Sequence, residues 1–135
     1  MIPFRIGDSI EVRDGAPFFF IGGPCVIESA EHIDFLCGKI KEICAGLGIP
    51  YIFKASFDKA NRSSIGSFRG PGVNEAASLF SQLKKNHSVP VLTDIHEPAQ
   101  AAMLAPIVDV LQIPAFLCRQ TDLIVAAART GDSKA

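Results

Sequence analysis

Phe18-Phe19-Phe20-Ile21, an apolar run closed by Gly22-Gly23-Pro24, is the stretch on which the fold turns. A run without polar alternation predicts a strand buried on both faces, as in a parallel sheet. Downstream, Ser29 can cap a helix whose apolar positions Ile33, Leu36, Cys37, Ile40, Ile43, Cys44 and Leu47 recur by threes and fours until Gly48 stops it. Tyr51-Ile52-Phe53 reads as a second strand, followed by a long polar loop over 56–72. A second helix over about 74–86 is expected to bury Ala76, Leu79, Phe80 and Leu83. A third strand covers 89–93, and Pro98 suits the first turn of a short helix that must end before Pro106. A fourth strand covers 108–113, and Thr121 caps a last helix that Gly131 terminates. Upstream, Arg5 to Arg13 reads as two short strands around Gly7-Asp8, a hairpin preceding the main fold.

Residues 1–135 therefore read as one domain, a hairpin at 5–13 and four βα units at 17–131, with no linker or low-complexity segment. Such alternation predicts an α/β fold with a parallel sheet and right-handed crossovers. Periodicity alone does not separate a doubly wound sheet from part of a barrel. The first strand is not followed by GxGxxG, which weakens a dinucleotide reading.

A length of 135 residues suffices for one domain with a real core, and 48% hydrophobic with 20% charged residues is ordinary for a soluble globular protein. The net charge of -1 gives no electrostatic reason to expect nucleic acid or an anionic membrane as partner. Apolar stretches fall short of the roughly 20 residues needed to span a bilayer. The opening Met1-Ile2-Pro3-Phe4-Arg5 lacks the pattern of a secretory signal. The four cysteines form no CxxC pair, and Cys37 and Cys44 fall on the apolar side of the first helix as buried thiols. A cytoplasmic setting is the natural expectation.

Each strand ends in side chains capable of chemistry. Gly22-Gly23-Pro24-Cys25 follows the first, and a loop carrying Lys54, Ser56, Asp58, Lys59, Asn61, Arg62, Ser63 and Ser64 follows the second. Asp94-Ile95-His96-Glu97 follows the third; the fourth carries Gln112 and leads to Arg119. In parallel α/β folds ligands bind at the carboxyl ends of the strands, where the loops converge. Lys54, Lys59, Arg62, Arg69 and Arg119 gather cations there in a near-neutral chain, and both residue types match phosphate oxygens. The alternative is a solvated loop balanced by Asp58 and Glu97. Cys25 can present a thiolate to a ligand or a metal, or be a plain buried thiol. His96 can be a ligand, an acid/base or a structural histidine. His32 and His87 fall on helix surfaces without an expected role, and Lys84-Lys85 offsets a helix dipole.

Lys54-Ala55-Ser56-Phe57-Asp58-Lys59-Ala60-Asn61-Arg62-Ser63-Ser64, then Phe68-Arg69-Gly70-Pro71-Gly72, then Thr93-Asp94-Ile95-His96-Glu97-Pro98 and Gln112-Ile113-Pro114-Ala115-Phe116-Leu117-Cys118-Arg119-Gln120-Thr121-Asp122-Leu123 closely resemble the 3-deoxy-D-manno-octulosonate 8-phosphate synthase family. The resemblance runs from about Ile6 to Gly131. It implies a (β/α)8 barrel, a cytoplasmic homotetramer serving lipopolysaccharide synthesis, and an aldol-type condensation of phosphoenolpyruvate with arabinose 5-phosphate. It further implies Lys54, Ser56 and Gln112 on the phosphoenolpyruvate side and Lys59, Asn61, Arg62 and Ser63 at the pentose phosphate. Arg119 would reach a phosphate in a neighbouring subunit, Asp94 would order the site, and Lys59, Asn61 and Asp94 would be catalytic. Cys25, where other family members carry Asn, implies the metal-dependent class, with iron, zinc or manganese as the divalent ion.

A whole barrel takes about 250 residues, and this chain holds four βα units. Four opened strands leave two unpaired edges and an uncovered inner face, so the chain is expected to dimerise, to aggregate or to be part of something longer. It is expected to be inactive alone, the remaining metal ligands lying outside it. The rival readings are a sibling synthase using erythrose 4-phosphate or a mannosamine derivative, and a non-catalytic half-barrel that binds anions or self-associates. A nucleic-acid role is disfavoured because Phe57 is the only aromatic within the basic stretch from Lys54 to Ser64.

Overall fold

Residues 2–59 and 64–131 are described by the structure, a computed structural model. Strands β1 (Phe4–Ile6) and β2 (Ile10–Val12) pair antiparallel as a hairpin. Then follow β3 (Phe20–Gly22), α1 (Ala30–Gly46), β4 (Tyr51–Lys54), α2 (Val73–His87), β5 (Val91–Asp94), α3 (Pro98–Leu104), β6 (Val110–Gln112) and α4 (Thr121–Arg129), with a 3-10 turn at Ala115–Leu117 before α4. The helices start where the chain offers a cap. Ser29 Oγ accepts the His32 N–H at α1, and Glu97 with Gln100 closes a capping box ahead of Pro98 at α3. Thr121 is the first residue of α4 rather than its cap. Gln120 holds the cap position without a side-chain bond.

Strand order settles what periodicity left open. The four-stranded sheet runs β3-β4-β5-β6, every pair parallel and every strand beside its predecessor. A doubly wound sheet reverses direction at a switch point, whereas a barrel adds strands one way only. This is therefore barrel winding, four β/α units of the (β/α)8 architecture.

The period-two alternation of strands divides the sheet into two faces. Tyr51 and Phe53 of β4 and Val91 of β5 join Ile33, Cys37, Phe80, Leu83 and Leu104 in the main core between sheet and helices. Ile52 and Leu92 point the other way and pack with Ile6 and Ile10 of the hairpin, flanked by Phe19 and Val110. One step of two residues beyond Ile52, Leu92 and Val110 come Lys54, Asp94 and Gln112, on the same inner face and nearer the carboxyl ends. The register agrees, with Leu92 opposite Val110 and Asp94 opposite Gln112. The inner face thus has an apolar floor closed by the hairpin and a polar layer above it.

Two expectations need correction. The run at 18–21 is not buried on both faces, because β3 is an edge strand: Phe18 is 71%, Phe20 46% and Ile21 43% exposed. Ile43 of α1 and Leu47 at its C-cap are exposed despite their apolar spacing, because the helix turns Ile33, Cys37 and Cys44 into the core instead.

Candidate active site at the carboxyl ends of the strands

The polar layer opens into a cavity of about 470 Å³ lined by Lys54, Lys59, Asp94, His96, Gln112 and Phe116, among others. Behind its lysines lies Ser56, fully buried, whose backbone bridges to the segment after β3: Ser56 N–H donates to Cys25 O and Ile27 N–H to Ser56 O. Gly23 permits this approach, since a Cβ there would stand 2.1 Å from the Lys54 carbonyl oxygen. Lys59 Nζ donates to Ser56 Oγ at 2.8 Å and Lys54 Nζ reaches the same oxygen at 3.5 Å. Two ammonium groups therefore converge on one hydroxyl, an arrangement suited to an anionic oxygen.

Beneath them lies Asp94, with its side chain only 9% exposed. Its Oδ2 is 3.2 Å from His96 Nε2. Burial raises the Asp94 pKa, but hydrogen bonds from His96 and Ser56 outweigh it and hold the carboxyl below its ordinary value. The His96 ring meets Phe57 edge-on, centroids 5.5 Å apart, and its backbone N–H donates to Gln100 Oε1 at the start of α3. Asp94 Oδ1 and His96 Nδ1 are buried without a hydrogen-bond partner among the described residues.

The basic loop is stitched at its base. Arg69 forms a two-pronged bridge to Asp58 at 2.8 and 2.6 Å, and Lys59 N–H donates to Arg69 O. Gly70, at φ +120°, lies where a Cβ would be 2.2 Å from Phe57 O. Arg69 is thus a structural clamp, and its charge is engaged by Asp58. Asn61, Arg62 and Ser63 lie outside the described residues. Arg119 is exposed after the 3-10 turn and does not line the cavity.

Cys25 is exposed at the same mouth, its carbonyl bonded to Ser56, but it too stands apart from the cavity lining. Among the described residues no three His, Cys, Asp or Glu side chains are placed to hold a metal ion. These residues do not by themselves fit a metal centre.

Sequence reasoning placed Lys54, Ser56, Lys59, Asp94 and Gln112 at one end of the sheet, and the structure brings them together. It did not assign His96 to Asp94, although their i, i+2 spacing at a strand end was the available signal. His87, given no role, is largely buried. Its Nε2 lies 2.9 Å from Asp34 Oδ1, joining α2 to α1. At the opposite, amino end of the strands a hollow of about 600 Å³ lies beside Arg5, Lys84 and Asp109. There Lys84 bridges Asp109 at 2.8 Å and Asp109 Oδ2 accepts the Val91 N–H, a mutually satisfied arrangement that serves the strand ends.

Barrel winding with a cationic, serine-centred site at the carboxyl ends is matched by one family description: the chain belongs to the DAHP synthetase I family, whose model covers residues 1–133. Within it, the chain is similar to proteins named 2-dehydro-3-deoxyphosphooctonate aldolase. It is 54% identical over 131 residues to that of Cyanothece sp., covering 97% of this chain and 48% of the relative. It is 60% identical over 114 residues to that of Fusobacterium nucleatum (84% and 41%), and 53% identical over 126 residues to that of Pseudomonas aeruginosa (93% and 44%). The chain spans about half the length of the curated relatives it matches. Among the described residues no helix is long and apolar enough to cross a membrane.

Proposed function

We propose that this chain is the phosphate-binding half of a synthase joining phosphoenolpyruvate to arabinose 5-phosphate. C3 of phosphoenolpyruvate attacks the sugar aldehyde, water adds at C2, and phosphate departs by C–O cleavage, giving the eight-carbon keto-acid phosphate and inorganic phosphate. The observation that carries the reading is the convergence of Lys54 and Lys59, both lining the cavity, on the buried Ser56 hydroxyl. The names of the relatives support the same product class.

In this reading Lys54, Ser56 and Gln112 bind phosphoenolpyruvate. Lys59, with Asn61, Arg62 and Ser63, binds the pentose phosphate, and Arg119 serves a phosphate in a neighbouring subunit of a tetramer. Lys59 and Asn61 act on the reacting groups, while Asp94 orders the lysines from below. Cys25 would contribute one thiolate to a divalent metal whose other ligands are not among the described residues. The ion would supply Lewis-acid polarisation. Residues 1–135 form a single domain, the N-terminal half of the barrel, in the cytoplasm and serving lipopolysaccharide synthesis.

Because half the wall of the site is supplied by other β/α units, the chain alone binds substrate weakly and does not turn over. The test is phosphate release from phosphoenolpyruvate by the 135-residue chain, with and without arabinose 5-phosphate, and again after adding the remaining four β/α units of a relative. Sugar-dependent release only in the complemented sample is expected. Erythrose 4-phosphate outcompeting the pentose, or no release in either sample, would overturn the assignment. The exposed edge residues Phe20 and Ile21 favour a second reading, a self-associating half-barrel. A stable dimer by light scattering that binds no phosphoenolpyruvate would support that one instead.

A further inference from the structure

We infer that His96 is a positioning residue, its Nε2–H fixing the Asp94 carboxylate as a permanent, oriented negative charge at the floor of the cavity. The inference rests on the cavity being the reactive site proposed above, and it extends that reading to a residue with no assigned role. Two contacts hold the imidazole and a third its backbone. The ring meets Phe57 in a T-shaped arrangement, its Nε2 faces Asp94 Oδ2 at 3.2 Å, and the backbone N–H donates to Gln100 Oε1. With Nδ1 buried and unpartnered among the described residues, a proton there would be an orphan donor. A lone pair is the less costly occupant, so the proton belongs on Nε2, facing the carboxylate.

The remaining groups facing Asp94 explain why this matters. Lys54 of β4 and Lys59 of the following loop lie across Ser56, Gln112 of β6 stands opposite in register, and Asp58 lies further out in the lining. Ser56 thus lies between the lysines and the carboxylate: its hydroxyl receives their hydrogen bonds, and its proximity helps to hold Asp94 below the ordinary carboxylate value. Were Asp94 to protonate, the lysines and Ser56 would lose the negative charge beneath them, and Ser56 would be held less firmly where the ammonium groups meet. Burial pushes Asp94 toward that neutral form, and the His96 bond is the largest of the effects opposing it. Among the described residues Asp94 Oδ1 has no hydrogen-bond partner, an acceptor suited to a hydroxyl or water and hostile to an anionic oxygen.

The experiment is ligand-free NMR on the whole 135-residue chain, so that its outcome does not depend on any synthase activity. In the unsubstituted chain the Asp94 ¹³Cγ titration is expected below the ordinary carboxylate midpoint, and ¹⁵N shifts of His96 should show Nε2 protonated. In His96→Leu the Asp94 midpoint should rise, while His96→Gln, which keeps a donor, should restore most of the difference. A merely structural histidine would leave the Asp94 midpoint unmoved. An unchanged midpoint in His96→Leu, or a His96 proton on Nδ1 in the unsubstituted chain, would overturn the inference. The second observable needs no variant and stands if His96→Leu fails to fold.

Discussion

Asp109→Ala isolates how the amino ends of the strands are held. The Asp109 side chain is 14% exposed, and its Oδ2 accepts both Lys84 Nζ and the Val91 N–H at 2.8 Å. Val91 is fully buried, so removing the carboxylate strands a backbone donor away from water. An orphaned buried donor costs about 1–3 kcal/mol. Lys84 is 34% exposed and retains the Ile107 carbonyl at 3.1 Å, so its charge can rehydrate. Losing that ion pair adds at most about 1 kcal/mol. The expected loss is thus about 2–4 kcal/mol, dominated by the backbone donor. For a chain of this size each kcal/mol moves the thermal midpoint by about 4 °C, which predicts a drop of roughly 10 °C. Urea unfolding followed by circular dichroism, with Lys84→Met and Asp109→Asn alongside, gives the comparison. Lys84→Met should lose no more than about 1 kcal/mol, and Asp109→Asn, which keeps an acceptor for Val91, should fall between. If Lys84→Met is as damaging as Asp109→Ala, the ion pair rather than the strand amide carries the energy, and this reasoning fails.

Gly70→Ala should lower the unfolding free energy by about 2–3 kcal/mol or more, read as a lower urea midpoint, because φ +120° and the nearby Phe57 carbonyl both exclude a Cβ. An unchanged midpoint would mean that the loop base relaxes freely. Asn86, and after it His87, hold the half-exposed Asp34 carboxyl below its usual range. A lowered folded pKa contributes stability above the unfolded value of about 4 and loses it as pH falls through the folded value. Urea midpoints between pH 5 and 3, values of about the carboxylate range, should therefore decline more steeply for the unsubstituted chain than for Asp34→Asn. Burial pushes the Cys37 thiol up to about 12, and Cys44 is buried too, whereas Cys25 and Cys118 are exposed. A disulfide reagent at mildly alkaline pH should label Cys25 and Cys118 quickly in native protein, and Cys37 only after denaturant, as peptide mass mapping would show.

Much of this architecture was legible because hydrophobic period and cap chemistry agree. Ser29, Pro98 and the threes-and-fours spacing of Ile33, Cys37 and Cys44 mark helices without tertiary help. Strand order was not legible, since period two says nothing of which strand lies beside which; only the pairing of Phe53 with Val91 and of Leu92 with Val110 shows barrel winding. An edge strand also reads like a central one, and the exposure of Phe20 comes from what is beside it rather than from its own sequence. At the site, the residue types were visible but their pairing was not. The sequence allows Asp58 to balance any of the loop's cations, and only the fold assigns it to Arg69; His96 likewise has several possible roles until Phe57 and Asp94 are seen to flank its ring.

The hairpin closing the apolar floor makes this half of the barrel intrinsically asymmetric. Ile6 and Ile10 occupy the space beneath Ile52 and Leu92 toward which the lower side chains of any facing strands would also point. Two head-to-tail copies of this chain would bring two such stoppers to a single drain. A tandem duplication could therefore close into a ring only after discarding the second copy of residues 4–12, and that deletion is the first step in designing a two-fold symmetric barrel from this sequence.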